Sequence, residues 1–218
     1  SIMSRTELLA LACQHKMEGK CDLAEFIMNC QPKVITHIIT TTWDMLNAEA
    51  NLARSRKIRM ELLREAAESA CIENCEGCWL RCAKEVLAAN GIELRLFANA
   101  IYTLLEKGRG KYRNLMLVGP ANCGKTFLLK LLNVIYHTFT NPAWGTFTWI
   151  GVEKKECIFL NDFQWNDKII PWHDLLLLLE GEPVHFSAPK SYFSEDILLD
   201  AHTSVFATSK HRLAYVRG

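Results

Sequence analysis

The most constraining feature of the chain is residues 119–126, which read G-P-A-N-C-G-K-T and fit the pattern G-x-x-x-x-G-K-T. An apolar run, residues 115–118, comes directly before this segment, and a stretch with helical periodicity, residues 127–136, follows it. A strand, a glycine-rich turn and a helix in this order are the setting of a phosphate-binding loop. The alternative is a glycine-rich turn between strand and helix that has only an architectural role.

The residue types of this loop suit the binding of a nucleoside triphosphate with Mg²⁺. Gly119 and Gly124 let the backbone curl so that its N–H groups face the phosphates, and the dipole of the following helix adds to the attraction. Lys125 is expected to reach the β- and γ-phosphate oxygens, and the Thr126 hydroxyl to ligate Mg²⁺. The predicted nucleotide-binding residues are Gly119, Pro120, Ala121, Asn122, Cys123, Gly124, Lys125, Thr126 and Phe127.

The composition indicates how large a core the chain can form and in which cellular compartment we expect it. The chain has 218 residues, of which 50% are hydrophobic, enough for one sizeable core and a smaller second module. Its net charge of +1 comes from 25 basic and 24 acidic side chains, so any contact with nucleic acid would depend on local placement. No run reaches the roughly 18 apolar residues of a membrane span. The odd number of cysteines, 9, suits reduced thiols. We therefore expect a soluble intracellular protein without a membrane partner.

The periodicity of apolar residues changes near the basic connector 108–113, which reads G-R-G-K-Y-R. Helical periodicity dominates before it, and short apolar strands alternate with helices after it. We therefore predict a helical N-terminal module, residues 1–107, and an α/β P-loop domain, residues 108–218, whose parallel sheet is flanked by helices. The predicted elements of the second domain are residues 114–118, 127–136, 146–150, 157–160, 174–179, 184–186 and 204–207.

Three further residues complete the predicted site. Asp162 follows an apolar strand, where a carboxylate can hold Mg²⁺ or polarise the attacking water, although Asn-Asp pairs also favour plain turns. Ser209 ends the last strand, beside the place where a γ-phosphate would lie, so we expect it to sense that group. Lys190 would lie at the tip of a hairpin in residues 180–193, although a lone exposed lysine is usually only solvated. The predicted catalytic residues are Lys125, Asp162 and Ser209.

Four cysteines, Cys71, Cys75, Cys78 and Cys82, form a separate cluster. On one unbroken helix they would be too spread out for a single tetrahedral ion, but a turn at Glu76-Gly77 would bring them closer. The pattern therefore leaves two alternatives. The thiols could bind Zn²⁺, or they could be buried as small apolar groups that pack with Trp79 and Leu80.

Together these elements resemble the superfamily 3 helicases of small DNA viruses, in particular the replication-initiator proteins of circular single-stranded DNA viruses, of parvoviruses and of their integrated relatives. The motifs that carry the resemblance lie between residues 90 and 211: Asn90-Gly91, the connector 108–113, the loop 119–126, the segment F-L-N-D-F-Q-W at 159–165, the Lys190 hairpin and F-A-T-S at 206–209.

The resemblance implies an AAA+-like ATPase that assembles into a hexameric ring through an oligomerisation collar of N-terminal helices. Such a ring would hydrolyse Mg-ATP and move the Lys190 hairpins along single-stranded or forked DNA, and the expected compartment is the nucleus. A central channel is a place where one cation meets a polyanion repeatedly, which favours Lys190 as a DNA contact.

The chain also departs from the family pattern. The family has two adjacent carboxylates where this chain has Asn161 before Asp162, and an asparagine where this chain has Ser209. Either change would slow hydrolysis more than nucleotide binding. Arg212 and Arg217 are available as the arginine that a ring neighbour supplies, but neither is assigned. We expect the chain to be a fragment of a longer protein, and no nicking-endonuclease motif can be made out.

Three functions therefore remain open: an active helicase, a degenerate relative that binds nucleotide and acts as an assembly scaffold, and an unrelated P-loop signalling ATPase. DNA-stimulated ATP turnover separates them.

Overall fold

The computed structural model describes residues 4–71, 75–140, 147–188, 196–200 and 202–212. The chain forms two compact units, Ser1–Ile58 and Arg59–Gly218. None of the helices in these described ranges is both long enough and apolar enough to cross a bilayer.

The first unit is helical, as predicted. Its helices are α1 (Arg5–Met17), α2 (Asp22–Asn29) and α3 (Pro32–Ser55). Ser4 caps α1 by accepting a 3.2 Å hydrogen bond from the backbone N–H of Glu7, and Pro32 lies in the first turn of α3, where its missing N–H costs nothing. The small core of this unit is centred on Ala12, Ile27 and Ile35.

The second unit is an α/β structure in which three helices precede the sheet. Its elements, in chain order, are α4 (Arg59–Glu68), α5 (Cys78–Ala89), α6 (Leu94–Lys107), β1 (Leu115–Val118), α7 (Lys125–Ile135), β2 (Thr138–Thr140), a short 3₁₀ helix (Val152–Lys154), β3 (Cys157–Leu160), α8 (Trp172–Glu180), β4 (Val184–Phe186), β5 (Ile197–Leu199) and β6 (Ser204–Ser209).

The second unit begins at Arg59 rather than at residue 108 because helices α4 and α6 pack onto the sheet. The Ser204 hydroxyl on β6 donates a 2.7 Å hydrogen bond to the carbonyl of Leu104 on α6. Arg59 donates from Nε to the carbonyl of Leu105 at 2.9 Å, and its own carbonyl accepts from the Tyr136 hydroxyl. The packing boundary thus differs from the predicted boundary at 107/108, and a collar role for the helices before the sheet stays a prediction.

Four strands form a parallel sheet in the order β1-β6-β3-β2, which confirms the predicted parallel α/β arrangement. Parallel strands covered on both faces are mostly apolar. All residues of β3 and β6 are buried, including the hydroxyl residues Ser204, Thr208 and Ser209 of β6. Side chains of β3 alternate between the faces: Ile158 and Leu160 lie in the core with α8, whereas Cys157 and Phe159 lie in the core with α4, α6 and α7. The sheet therefore has helices on both faces.

One strand prediction was wrong. Residues 148–150 form a turn and not a strand, and the sheet gains its edge strand from Thr138–Thr140 instead. β4 pairs antiparallel with β5, Ile197–Leu199. The returning run of the predicted hairpin, residues 191–193, lies outside the described residues. Lys190 falls in the segment between these strands, outside the described residues.

The connector 108–113 was expected to be a basic linker, but Arg109 is fully buried. Its Nη1 donates to the carbonyls of Leu178 at 3.2 Å and Glu182 at 2.8 Å, and its Nη2 donates to the carbonyl of Leu199 at 3.0 Å. Burial lowers the pKa of Arg109, while the carboxylates of Asp200 and Glu182 raise it, and the guanidinium stays charged. Arg109 thus joins the end of α8 to β5, so the connector is part of the fold.

Candidate nucleotide-binding site

The glycine-rich loop lies between β1 and α7, at the carboxyl end of the parallel strands. The backbone N–H of Gly119 donates a 3.1 Å hydrogen bond to the carbonyl of Ser209, which anchors the loop to the end of β6. Asn122 and Gly124 have positive φ angles of 62° and 87°. Two left-handed residues within the loop provide the curl that was predicted for a phosphate cradle.

Two features of the structure favour glycine at position 124. Its φ of 87° is unfavourable for a residue with a Cβ, and a Cβ there would lie 2.5 Å from Cγ1 of Val86 on α5. Helix α5 therefore packs directly against the loop. Asn90, the residue that ends this helix, donates from Nδ2 to the carbonyl of Cys123 at 3.2 Å and to that of Val86 at 2.8 Å. The loop is thus also held by α5, a helix that precedes the sheet in the chain.

We expect Gly124→Ala to lower the free energy of unfolding by about 2–4 kcal/mol, the sum of backbone strain and overpacking against Val86. Gly151→Ala is the matched control, because Gly151 has a similar φ of 84° but no atom within 4 Å of a Cβ. Gly151→Ala should lower the free energy of unfolding only by the backbone strain, about 1–2 kcal/mol. Urea unfolding measures both. Adding Val86→Ala should recover part of the Gly124→Ala loss; equal costs at the two glycines would contradict the packing role.

Lys125 is the first residue of α7, and its ammonium group folds over the loop. Nζ donates to the carbonyls of Gly119 at 2.7 Å and Pro120 at 2.5 Å, and lies 3.5 Å from Sγ of Cys123. The side chain is therefore positioned at the loop and is half-buried. The ammonium has three donors, so an anion in the loop can replace these carbonyl partners.

A network of hydroxyl and amide groups links the loop to the ends of the two central strands, β3 and β6. Thr126 Oγ1 donates to Oδ1 of Asn161 at 2.9 Å, and Thr208 Oγ1 donates to the same oxygen at 3.0 Å. Asn161 directly follows β3, and Thr208 lies near the end of β6. From the sequence we interpreted Asn161 as a departure that could still ligate Mg²⁺ through its amide oxygen, and we assigned no separate role to Thr208. The structure brings Asn161, rather than Asp162, to Thr126.

Asp162 lies next to this network in a left-handed conformation, with φ of 49°. Its backbone N–H donates to Thr208 Oγ1 at 2.8 Å, and its carboxylate forms an ion pair with Lys210 at 3.2 Å, both side chains being about half exposed. The carboxylate is thus accessible at the sheet edge. No contact joins it to Thr126 among the hydrogen bonds of the described residues.

Ser209 is placed differently from the prediction. Its side chain is 2% exposed, its Oγ donates to the carbonyl of Phe163 at 2.9 Å, and the same oxygen accepts from the backbone N–H of His211. The hydroxyl of Ser209 therefore links the end of β6 to residues 163 and 211. Its backbone carbonyl, and not its side chain, contacts the loop at Gly119.

A cavity of about 440 Å³ lies beside the loop. Asn90 and Ile92 line it on one side, residues of β1 and the loop on the other, and Lys125 and Leu128 at the start of α7. A volume of this size is in the range of small-molecule sites. The ring of Phe127, a predicted nucleotide-binding residue, packs instead against Trp79 of α5 at a centroid distance of 5.5 Å.

The remaining residues singled out in the sequence are Arg212, Lys190, Arg217 and the four clustered cysteines. Arg212 is exposed, while Lys190 and Arg217 lie outside the described residues. Cys71, Cys78 and Cys82 are exposed and Cys75 is partly exposed, which rules out the packing of these thiols in an apolar core. Within the described residues, no three histidine, cysteine, aspartate or glutamate side chains come together as metal ligands.

In comparisons with known proteins, no protein-family model matched the chain, and no curated protein was significantly similar to it.

Proposed function

We propose that residues 59–218 form a P-loop ATPase unit of a superfamily 3-like DNA replication helicase, in which Mg-ATP binds at residues 119–126. The observation that carries the proposal is the Thr126–Asn161–Thr208 network. It joins the glycine-rich loop to the ends of β3 and β6, with hydrogen bonds of 2.9 and 3.0 Å. A plain architectural turn has no need of polar side chains that converge from two other strands.

The loop suits a triphosphate for reasons of charge and geometry. Its left-handed residues curl the backbone, α7 begins at the end of the loop, and the Lys125 ammonium already lies against the loop carbonyls. Backbone N–H groups, a helix N-terminus and an ammonium group all favour phosphate oxygens. The cavity beside Asn90 and Ile92, lined by both apolar and polar groups, then offers a place for the base.

The oxygen donors at the site fit Mg²⁺, which prefers carboxylate, amide and hydroxyl oxygens together with phosphate oxygens and water. Thr126 Oγ1 and Asn161 Oδ1 are the residues that would hold the ion. The ion would neutralise charge on the β- and γ-phosphates. Asp162, which is exposed and adjacent, would orient and deprotonate the attacking water, and Lys125 would stabilise the charge that develops on the phosphates.

We expect Asn161→Asp to strengthen Mg²⁺-dependent ATP binding by about tenfold, because a carboxylate binds this ion more strongly than an amide oxygen does. The hydroxyls of Thr126 and Thr208 can still donate to it, so the network survives. Titration of ATP at several Mg²⁺ concentrations measures the effect. Asn166→Asp, after the same strand but outside the network, is the control. Weaker binding in Asn161→Asp would place the ion elsewhere.

A second candidate function is a nucleotide-dependent assembly scaffold that does not unwind DNA. The buried Ser209 favours it, since the hydroxyl donates to Phe163 and is not aimed at the loop. The amide of Asn161 in place of an acid favours it as well. ATP turnover with and without single-stranded DNA distinguishes the candidates: stimulation supports the helicase, and binding without turnover supports the scaffold.

The DNA contact of the proposed helicase is assigned to Lys190, in the segment that joins β4 to β5. We expect Lys190→Ala to abolish unwinding and leave basal ATP turnover unchanged, since the residue would act on DNA phosphates and not on ATP. Lys168→Ala, an exposed lysine of the loop after β3, is the control. Strand-displacement and ATPase assays are run in parallel on a ring-forming preparation. Normal unwinding by Lys190→Ala would remove this assignment.

A further inference from the structure

Lys210 is a charged residue at the candidate nucleotide site that has no role in the binding scheme proposed above. It directly follows Ser209, the last residue of β6, and its Nζ lies 3.2 Å from Oδ2 of Asp162. Asp162 in turn follows Asn161, whose Oδ1 accepts the hydrogen bond from Thr126. The ammonium group of Lys210 is therefore one of the polar groups that meet where the loop, β3 and β6 come together.

The backbone that carries the two paired side chains is held by short hydrogen bonds. The N–H groups of Asp162 and Phe163 donate to Oγ1 and to the carbonyl of Thr208, at 2.8 and 2.7 Å. Ser209 donates from Oγ to the carbonyl of Phe163 at 2.9 Å, and its own carbonyl accepts from the N–H of Gly119 at 3.1 Å. The ends of β3 and β6 are thus fixed to each other and to the loop, so side chains that leave these ends start from defined positions.

The ion pair itself is far less constrained than this backbone. The side chains of Lys210 and Asp162 are 46% and 49% exposed. A pair this accessible contributes little to stability, because water screens the charges and two flexible side chains lose entropy when they are held together. Lysine also has a long flexible stem and three rotatable donors. The ammonium group can therefore leave the carboxylate at small cost when a stronger anion is near.

We propose that Lys210 is the residue that distinguishes a nucleoside triphosphate from a diphosphate, by moving its ammonium group from Asp162 to the terminal phosphate. The inference rests on the proposed nucleotide site at residues 119–126. In that site Thr126 and Asn161 hold Mg²⁺, which bridges the β- and γ-phosphates. The γ-phosphate is then the phosphate next to the residues that follow β3, and a diphosphate places no group there.

The exchange of partners also connects triphosphate binding to the general base. While Lys210 is paired with Asp162, the carboxylate is occupied by a cation. When the ammonium group moves to the phosphate, Asp162 is free to accept a hydrogen bond, and then a proton, from the attacking water. Lys210 thus keeps the base engaged until a triphosphate is present.

Neighbouring residues fit this role less well. Lys125 lies against the carbonyls of Gly119 and Pro120 in the loop, so we expect it to contact the phosphates of both nucleotides. The hydroxyl of Ser209 is buried and already donates to a carbonyl. Arg212 is exposed two residues further along the chain and is the rival cation.

Dissociation constants of two ligands test the proposal on the full chain with saturating Mg²⁺. The ligands are ADP and the imido analogue of ATP, which is not hydrolysed, and calorimetry measures both. Lys210→Ala should weaken the analogue about tenfold, because a charge-assisted hydrogen bond is lost only with the triphosphate. ADP affinity should fall less than about twofold, since a more distant charge is screened. Lys210→Arg keeps the charge and should retain most of the discrimination.

Lys155→Ala is the matched control for charge. Lys155 is an exposed lysine just before β3, at the end of that strand opposite to Asp162. Its removal changes the net charge equally and should leave both dissociation constants as they are in the unaltered chain.

Asp162→Asn tests the exchange of partners directly. Asparagine tolerates the left-handed φ of 49° at this position, and the substitution removes the carboxylate that holds Lys210. The analogue should bind about threefold more tightly, because the ammonium group no longer has to leave a partner. This gain should disappear when Lys210→Ala is added.

Four outcomes would contradict the proposal, and they can be told apart. If Lys210→Ala weakens both ligands equally or weakens neither, the proposal is wrong and the nucleotide site stands. A gain in Asp162→Asn that persists in the double variant would be a general effect of charge and would contradict the exchange. Loss of discrimination in Arg212→Ala but not in Lys210→Ala would assign the role to Arg212. If the unaltered chain binds neither ligand, the proposed nucleotide site is wrong, and the role of Lys210 is wrong with it.

Discussion

Lys125→Ala lowers ATP affinity or turnover about 100-fold or more, the size expected when a cation that stabilises phosphate charge is removed. Nζ of Lys125 lies 2.7 Å from the Gly119 carbonyl and 2.5 Å from that of Pro120, so the ammonium is already positioned at the loop. Alanine favours the helix and leaves α7 intact. ATP binding by calorimetry and turnover by phosphate release measure the loss.

Lys130→Ala is the control for this prediction. Lys130 is an exposed lysine on the same helix, so its removal changes the net charge equally and does not affect the loop. It should bind and hydrolyse ATP as the unchanged protein does. Equal losses in Lys125→Ala and Lys130→Ala would indicate a general effect of charge and contradict a specific role for Lys125. Circular dichroism of both variants checks that the helices are retained.

Arg109→Met destabilises the second unit by about 3–5 kcal/mol, although the sequence predicted no catalytic or binding role for Arg109. Methionine fills a similar volume but leaves three carbonyls, those of Leu178, Glu182 and Leu199, without their donor. Unsatisfied buried acceptors cost more than the net value of the hydrogen bonds that satisfied them. The thermal midpoint should fall by about 6–15 °C.

Lys111→Met is the matched control, two residues along the same connector. Lys111 is exposed and pairs with Glu180 at 3.7 Å, a surface ion pair that contributes less than about 1 kcal/mol. Thermal unfolding, followed by tryptophan fluorescence, should therefore show little change in this variant. A small effect of Arg109→Met, similar to that of Lys111→Met, would mean that the connector is a linker after all.

The parts of the fold that could be predicted are those with a local signal. The strand, loop and helix around residues 115–135 were placed correctly because periodicity, glycines and the Lys-Thr pair all lie within one short segment. Strand β3 is a continuous apolar run and β6 contains the apolar run 205–207, and both were recognised for the same reason. Strand β2 has only three residues, Thr138–Thr140, too few for a pattern to stand out, and it exists because it pairs with β3.

The differences between the predicted and the observed contacts at the site come from long-range packing. Whether Asn161 or Asp162 faces Thr126 depends on the left-handed turn at Asp162 and on the Thr208 hydroxyl, which is 46 residues away from Asp162 in sequence. Ser209 was predicted from its place at the strand end, but its side chain points to Phe163. Arg109 resembled a surface cation, since its carbonyl partners are 69 to 90 residues away. A single sequence carries no local sign of these contacts.

The central claim is that residues 119–126 clasp the phosphates of ATP, and hydrogen exchange of the unaltered chain tests it most directly. Amide exchange is compared with and without saturating Mg-ATP. The claim predicts slowed exchange at the backbone amides of residue 119, of residues 121–126 and of the first turn of α7, and no slowing in Lys125→Ala. Unchanged exchange in this loop, or protection confined to other parts of the chain, would contradict the claim and with it the ATPase assignment.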